Sequence, residues 1–67
     1  GNSISEAVFT SASNVDRFFD MLPENAYVET AYSIGEKTTA ALKQYNVRKI
    51  LQADDSSYEA LVDKISN

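Results

Sequence analysis

Apolar residues in this chain alternate between two spacings. Short runs come first each time: Ala7-Val8-Phe9 within 6–10, Tyr27, Val28, Thr30, Tyr32 and Ile34 within 27–34, and Ile50-Leu51 within 48–53. Each has the length of a strand, and an unbroken apolar run suits a parallel strand covered on both faces. A helical spacing follows each run. Val15, Phe18, Phe19 and Leu22 stand at i, i+3, i+4, i+7, and so do Tyr58, Leu61, Val62 and Ile65. Thr38, Ala41, Leu42 and Tyr45 share one face in the same way. The pattern predicts helices over about 13–22, over about 36–45, and after Ser56. The order is β-α-β-α-β-α, which makes the chain α/β with a three-stranded parallel sheet and right-handed crossovers.

Local signals set the expected boundaries. Ser13 with Asp16, and Ser56 with Glu59, have the spacing of a capping box, with Asp in place of Glu in the first. Pro23 stops the first helix, because the residue before a proline is pushed out of the helical region. Asn46 is expected to end the second helix in a left-handed conformation. Tyr27, Tyr45 and Tyr58 are expected in or beside the core. Tyr32 is near a strand end, where packing is favoured over ligand contact.

Each strand gives way to small hydroxyl or glycine residues: Thr10-Ser11-Ala12-Ser13, Ser33-Ile34-Gly35 and Asp54-Asp55-Ser56-Ser57. Parallel strands end on the same side, so the three junctions are expected on one rim. Helix starts there expose unpaired N–H groups and the positive end of the helix dipole, which suits anions. Ser11, Ser13, Thr38, Ser56 and Ser57 also read simply as helix caps.

At 67 residues the chain is one domain at most. Its apolar fraction and mixed charges are those of a folded, soluble protein. There is no cysteine, which removes disulfides and thiol chemistry and fits a cytoplasmic protein. No apolar run is long enough to span a bilayer. The net charge is −4 and the six basic residues are scattered, so neither nucleic acid nor a membrane surface is an expected partner. Gly1-Asn2-Ser3 reads as a cloning remnant. Three parallel strands are few for a free-standing domain. The chain is therefore expected to be part of a larger α/β domain or to self-associate, and the unpaired edge at 6–10 leaves a homodimer or strand swap open.

The residues also exclude chemistry. Without histidine or cysteine there is no Ser-His-Asp triad, no thiol nucleophile and no usual zinc site. Asp16, Asp20, Glu29 and Glu36 fall on predicted solvent faces. Asp54 and Asp55 read as solvated loop residues rather than metal ligands, and no metal is expected. Gly35-Glu36-Lys37-Thr38-Thr39 lacks the first glycine of a phosphate loop, and the only other glycine is Gly1, so a dinucleotide fingerprint also fails.

Three segments together resemble one family. Val8-Phe9-Thr10-Ser11-Ala12-Ser13-Asn14-Val15, Ser33-Ile34-Gly35-Glu36-Lys37-Thr38-Thr39-Ala40-Ala41-Leu42 and Ala53-Asp54-Asp55-Ser56-Ser57-Tyr58-Glu59-Ala60-Leu61 resemble, in order and spacing, the C-terminal portion of uroporphyrinogen-III synthase. Ser57 replaces the usual threonine, and Glu36-Lys37 replaces a common proline-containing pair.

The resemblance implies about half of a flavodoxin-like domain, corresponding to its last three strands. The chain as a whole, residues 1–67, would be a partial domain of a two-domain enzyme. It implies cyclisation of hydroxymethylbilane, a linear tetrapyrrole polycarboxylate, with inversion of ring D, loss of water and no cofactor. Thr10, Ser11, Ser13, Gly35, Lys37, Thr38 and Ser57 would contact substrate carboxylates. The catalytic residues stay unassigned, the remaining part of the parent synthase is the expected partner, and fusion to a methyltransferase is left open. The alternative is a non-enzymatic interaction domain of flavodoxin or receiver type. The end of the first strand, Phe9-Thr10-Ser11, counts against a receiver, which needs a phosphorylatable Asp there.

Overall fold

A computed structural model describes residues 3–66. The elements run β1 (Ser3–Phe9), α1 (Ala12–Asp20), β2 (Tyr27–Ser33), α2 (Glu36–Leu42), β3 (Val47–Gln52) and α3 (Tyr58–Ser66). The strands form one parallel sheet in the order β1-β2-β3, as the alternation of spacings predicts. Of the expected remnant, Gly1 and Asn2 are outside the described residues, whereas Ser3 pairs with Tyr27 in β1.

Ala31 and Tyr32, successive residues of β2, point to opposite faces. Ala31 belongs to a core with Phe9, Val15, Val28 and Leu42, and α1 and α2 pack over it. Two right-handed crossovers in one direction put both helices on the same face. Phe9, Phe18, Phe19 and Tyr45 fill this side. Phe9 meets Phe18 edge-on at 5.1 Å between ring centroids, and Phe19 stacks on Tyr45 at 4.5 Å. Tyr32 belongs to a second, smaller core with Ala53 and Leu61, and α3 covers it.

Several expectations need correction. β1 is not covered on both faces: Val8 is 49% exposed, because α3 packs on β2 and β3. Tyr58 is not in the core; it is 69% exposed, and Val62 and Ile65 of the same apolar stripe are exposed too. Only Leu61 of that stripe is buried. Tyr27 and Tyr45 are half-buried as expected. Asn46 is not left-handed, since no described residue has a positive φ. The chain leaves α2 instead through short turns, with Gln44 N–H donating to Ala41 O and Tyr45 N–H to Leu42 O, each at 3.1 Å. α1 closes at Asp20, two residues before the expected end, and Leu22 N–H donates to Phe19 O at 3.2 Å as the chain approaches Pro23.

Candidate functional site at the carboxyl ends of the strands

The three strands end level. Phe9 is paired with Ser33, and Ser33 with Gln52. Two further bonds stitch the chain just past these ends: Ile34 N–H donates to Phe9 O at 3.2 Å, and Ala53 N–H donates to Ser33 O at 2.8 Å. The loops 10–11, 34–35 and 53–57 therefore stand side by side on one rim, and each opens into a helix. This is the edge of an open parallel sheet where ligands bind.

The helix starts are not equivalent. At α1 the cap is Ser11, not Ser13: its Oγ accepts from Asn14 N–H at 3.1 Å. The strand stops at Phe9 and the helix begins at Ala12, so the turn is too short to leave Ser13 outside it. Ser13 Oγ is 3.3 Å from Ser11 Oγ, and Thr10 Oγ1 accepts from Asn14 Nδ2 at 3.3 Å. At α3 the cap is Ser57, not Ser56, with its Oγ accepting from Ala60 N–H at 3.1 Å. The first turn of any helix leaves N–H groups without partners. At α2 no side chain takes them, since the cap position is Gly35, in an extended conformation.

The second and third junctions enclose a groove of about 490 Å³. Gly35, Lys37 and Thr38 line it, opposite Gln52 and Ser56. Ser57 stands one residue behind the lining, occupied as a cap. Thr10, Ser11 and Ser13 belong to the adjoining junction and do not line the groove. Thr38 is only 3% exposed and shares the buried side of α2 with Leu42. Gly35 leaves room that the next loop uses: a β-carbon there would come within 2.8 Å of Ser56 Oγ, the free end of an exposed side chain that can turn away. Glu36, Asp54 and Asp55 also line the groove, so three carboxylates face one ammonium, that of Lys37. Asp54 is 3.5 Å from Lys64 Nζ, an exposed pair of little energetic weight.

Under the rim is a polar network that the sequence reading did not single out. Ser33, fully buried, donates from Oγ to Gly35 O at 2.8 Å and accepts from Gly35 N–H at 3.3 Å. Thr39 Oγ1 is 2.8 Å from Ser33 Oγ and also 2.8 Å from Gln52 Oε1. The network ties the end of β2, the start of α2 and the end of β3 together. Its one sequence signal is a serine two residues before a junction glycine, a spacing that lets a hydroxyl reach back to the turn.

Tyr32 is spoken for by packing, as expected. It is 7% exposed and its hydroxyl donates to Glu6 Oε2 at 3.0 Å. That hydrogen bond, together with burial and the nearby Glu6 charge, raises the phenol above its ordinary 10.0. On the other face, Tyr45 donates to Asp16 Oδ1 at 2.8 Å, and its phenol is raised for the same reasons, led by that bond. Among the described residues no helix is long and apolar enough to cross a membrane.

The family model described as uroporphyrinogen-III synthase HemD matches residues 2–63. No curated protein and no solved structure matches the chain. The matched span takes in all three strands, all three rim junctions and most of α3. The chain belongs to the uroporphyrinogen-III synthase family.

Proposed function

We propose that this chain contributes one wall of the substrate cleft of a uroporphyrinogen-III synthase. The parent is a cytoplasmic enzyme of tetrapyrrole synthesis. It closes hydroxymethylbilane into uroporphyrinogen III, inverting ring D and releasing water, without a cofactor. Loss of the hydroxyl as water leaves an electrophilic azafulvene, and closure through a spiro intermediate inverts the last ring. Closure without inversion competes, so the protein's main task is to hold a flexible chain in one conformation.

The observation that carries this reading is the level rim of three helix starts in a chain of this family. The substrate is a polycarboxylate, and peptide N–H groups at helix starts suit its carboxylates. Net charge at the groove does not draw them in, given Glu36, Asp54 and Asp55. Binding there rests on the uncapped N–H groups of Glu36, Lys37 and Thr38 and on the Lys37 ammonium. The adjoining junction adds Thr10, Ser11 and Ser13, whose hydroxyls are 3.1–3.3 Å from their neighbours in the cap of α1. Ser57 holds the third junction in place through its cap.

The groove offers no enclosed acid to protonate the leaving hydroxyl, and we assign that step to the remaining part of the parent synthase. The open edge of β1 and the partly covered α3 side are where that part would dock.

The test is an amide chemical-shift titration of the labelled chain with uroporphyrinogen III under reducing conditions. Saturable shifts confined to Thr10–Asn14, Gly35–Thr38 and Ser56–Tyr58 are expected. Shifts elsewhere, or none in a folded chain with excess ligand, would overturn the placement of the site. The chain alone is expected to make no type III isomer, and efficient turnover by it would sink the shared-cleft reading.

A further inference from the structure

The network beneath the rim has a fixed supply of hydrogens. A serine or threonine hydroxyl has one proton to give. Gly35 N–H donates to Ser33 Oγ at 3.3 Å, and the Ser33 proton goes to Gly35 O at 2.8 Å. The contact of 2.8 Å between Thr39 Oγ1 and Ser33 Oγ then needs the Thr39 proton. None is left for the other contact of Thr39, the 2.8 Å approach of Gln52 Oε1. Two oxygens at that distance without a proton between them repel.

The alternative is to pass the Ser33 proton to Thr39 and the Thr39 proton to Gln52. That moves the same fault to the Ser33 Oγ and Gly35 O contact, also 2.8 Å, which is buried. A half-turn of the Gln52 amide removes the fault altogether. Oxygen and nitrogen exchange places with almost no change of shape, and the NH2 then donates to Thr39. Protons run from Gln52 to Thr39, to Ser33, to Gly35 O, and every contact holds one.

This arrangement turns the Gln52 oxygen away from Thr39. Gln52 is exposed and lines the groove opposite Gly35 and Lys37, so the outward atom faces whatever the groove holds. We propose that Gln52 contacts the ligand as a hydrogen-bond acceptor, taking an N–H donor, and that Thr39 and Ser33 are positioning residues that set this polarity. On the tetrapyrrole reading above, on which the identity of the ligand rests, the donor is a pyrrole N–H. Gln52 then stands with Asp54 and Asp55 on a wall of acceptors, which takes the N–H donors of a ligand that carries both groups.

The Gln52 side-chain NH2 gives its own pair of signals in an amide spectrum of the full chain. Two probes separate the possibilities: uroporphyrinogen III under reducing conditions, which has both pyrrole N–H and carboxylates, and benzenehexacarboxylate, which has carboxylates only. The tetrapyrrole is expected to shift the Gln52 pair saturably, together with the Gly35–Thr38 backbone. Benzenehexacarboxylate is expected to shift the backbone and leave the Gln52 pair in place.

Gln52→Met removes the acceptor at an exposed position and is expected to weaken tetrapyrrole binding about tenfold, the weight of one hydrogen bond. It leaves benzenehexacarboxylate binding unchanged. Thr39→Val is expected to move the unliganded Gln52 signals and to weaken the tetrapyrrole less than Gln52→Met does. Equal movement of the Gln52 pair with both probes would overturn the proposal, since the side chain would then be donating to carboxylates. So would a Gln52 pair that stays still while Gly35–Thr38 respond to the tetrapyrrole, and that result would leave the proposed function standing. No response anywhere to the tetrapyrrole would remove both.

Discussion

The two faces of the sheet are finished to different degrees. Under α1 and α2, Phe9, Val15, Val28, Ala31 and Leu42 are buried and aromatic rings fill the space around them. Under α3, only Tyr32, Ala53 and Leu61 are buried, while Val8, Tyr58, Val62 and Ile65 face outward. The apolar stripe of α3 is as regular as that of α1, with the same i, i+3, i+4, i+7 spacing. What differs is the surface opposite. Two helices share three strands on the first face, whereas one helix covers β2 and β3 on the second and leaves β1 bare. A helical pattern therefore tells which side of a helix can be buried, and the neighbouring elements decide how much of it is.

Truncation should show this difference most directly. Leu42, the last residue of α2, is 0% exposed against α1 and the sheet, and Leu42→Ala is expected to cost about 3 kcal/mol, within the usual range for a buried leucine. A chain this small has only marginal stability to lose, so urea denaturation should show no cooperative transition in that variant. Leu61→Ala should cost about 2 kcal/mol, the low end of the range, because the space it leaves opens toward solvent. Equal losses would mean that α3 is held as firmly as α2.

Cap removal comes next. Ser11→Ala should cost about 1 kcal/mol by the same denaturation measurement, and Ser57→Ala a similar amount. Ser13→Ala and Ser56→Ala should cost much less, because neither hydroxyl is the capping acceptor. A reversed order would restore the caps suggested by the capping-box spacing.

Val62→Ser tests the unfinished face. Val62 is 58% exposed, so the change should stay within about 0.5 kcal/mol. A loss that grows with protein concentration would show instead that a second copy covers α3.

High pH probes both faces with one tyrosine each. Tyr32 and Tyr45 ionise above 10.0 in the folded chain because each donates to a carboxylate that their ionised forms would repel. Their contribution is complete below 10.0, the unfolded value, and fades as pH rises through the raised folded values. Absorbance titration should lose a high-pH component in Tyr32→Phe and another in Tyr45→Phe. A lost component centred at the ordinary 10.0 instead of above it would disprove the hydrogen bond of that tyrosine.

Much of the fold was legible because it rests on spacing. The periods near Val15 and Leu42 and the runs at Val8 and Leu51 lead to the six observed elements in order. Element ends were less legible. Ser11 caps α1 because Phe9 is the last paired residue of β1, a fact about strand register that no capping motif contains. Asn46 was expected to carry a left-handed turn, but the chain unwinds from α2 by short bonds between residues 41 and 45 and needs none.

The rim as a set of neighbouring junctions could be read, since parallel strands share one direction. The groove's composition could not. It pairs Gly35 with Ser56 and Thr39 with Gln52, residues 21 and 13 positions apart that meet only when β2 and β3 lie side by side in register.

The approach of Gly35 to Ser56 shows how a loop can absorb change in its neighbour. With no β-carbon at position 35, the serine hydroxyl of the neighbouring loop occupies the space, 2.8 Å from where that carbon would be, while its own β-carbon stands 3.8 Å away, in ordinary contact. Gly35→Ala is therefore expected to turn the exposed Ser56 hydroxyl to another rotamer and to leave the two loops in place. The hydroxyl acts as a hinged filler, so drift at position 35 would reshape the groove wall without unseating the loop across from it.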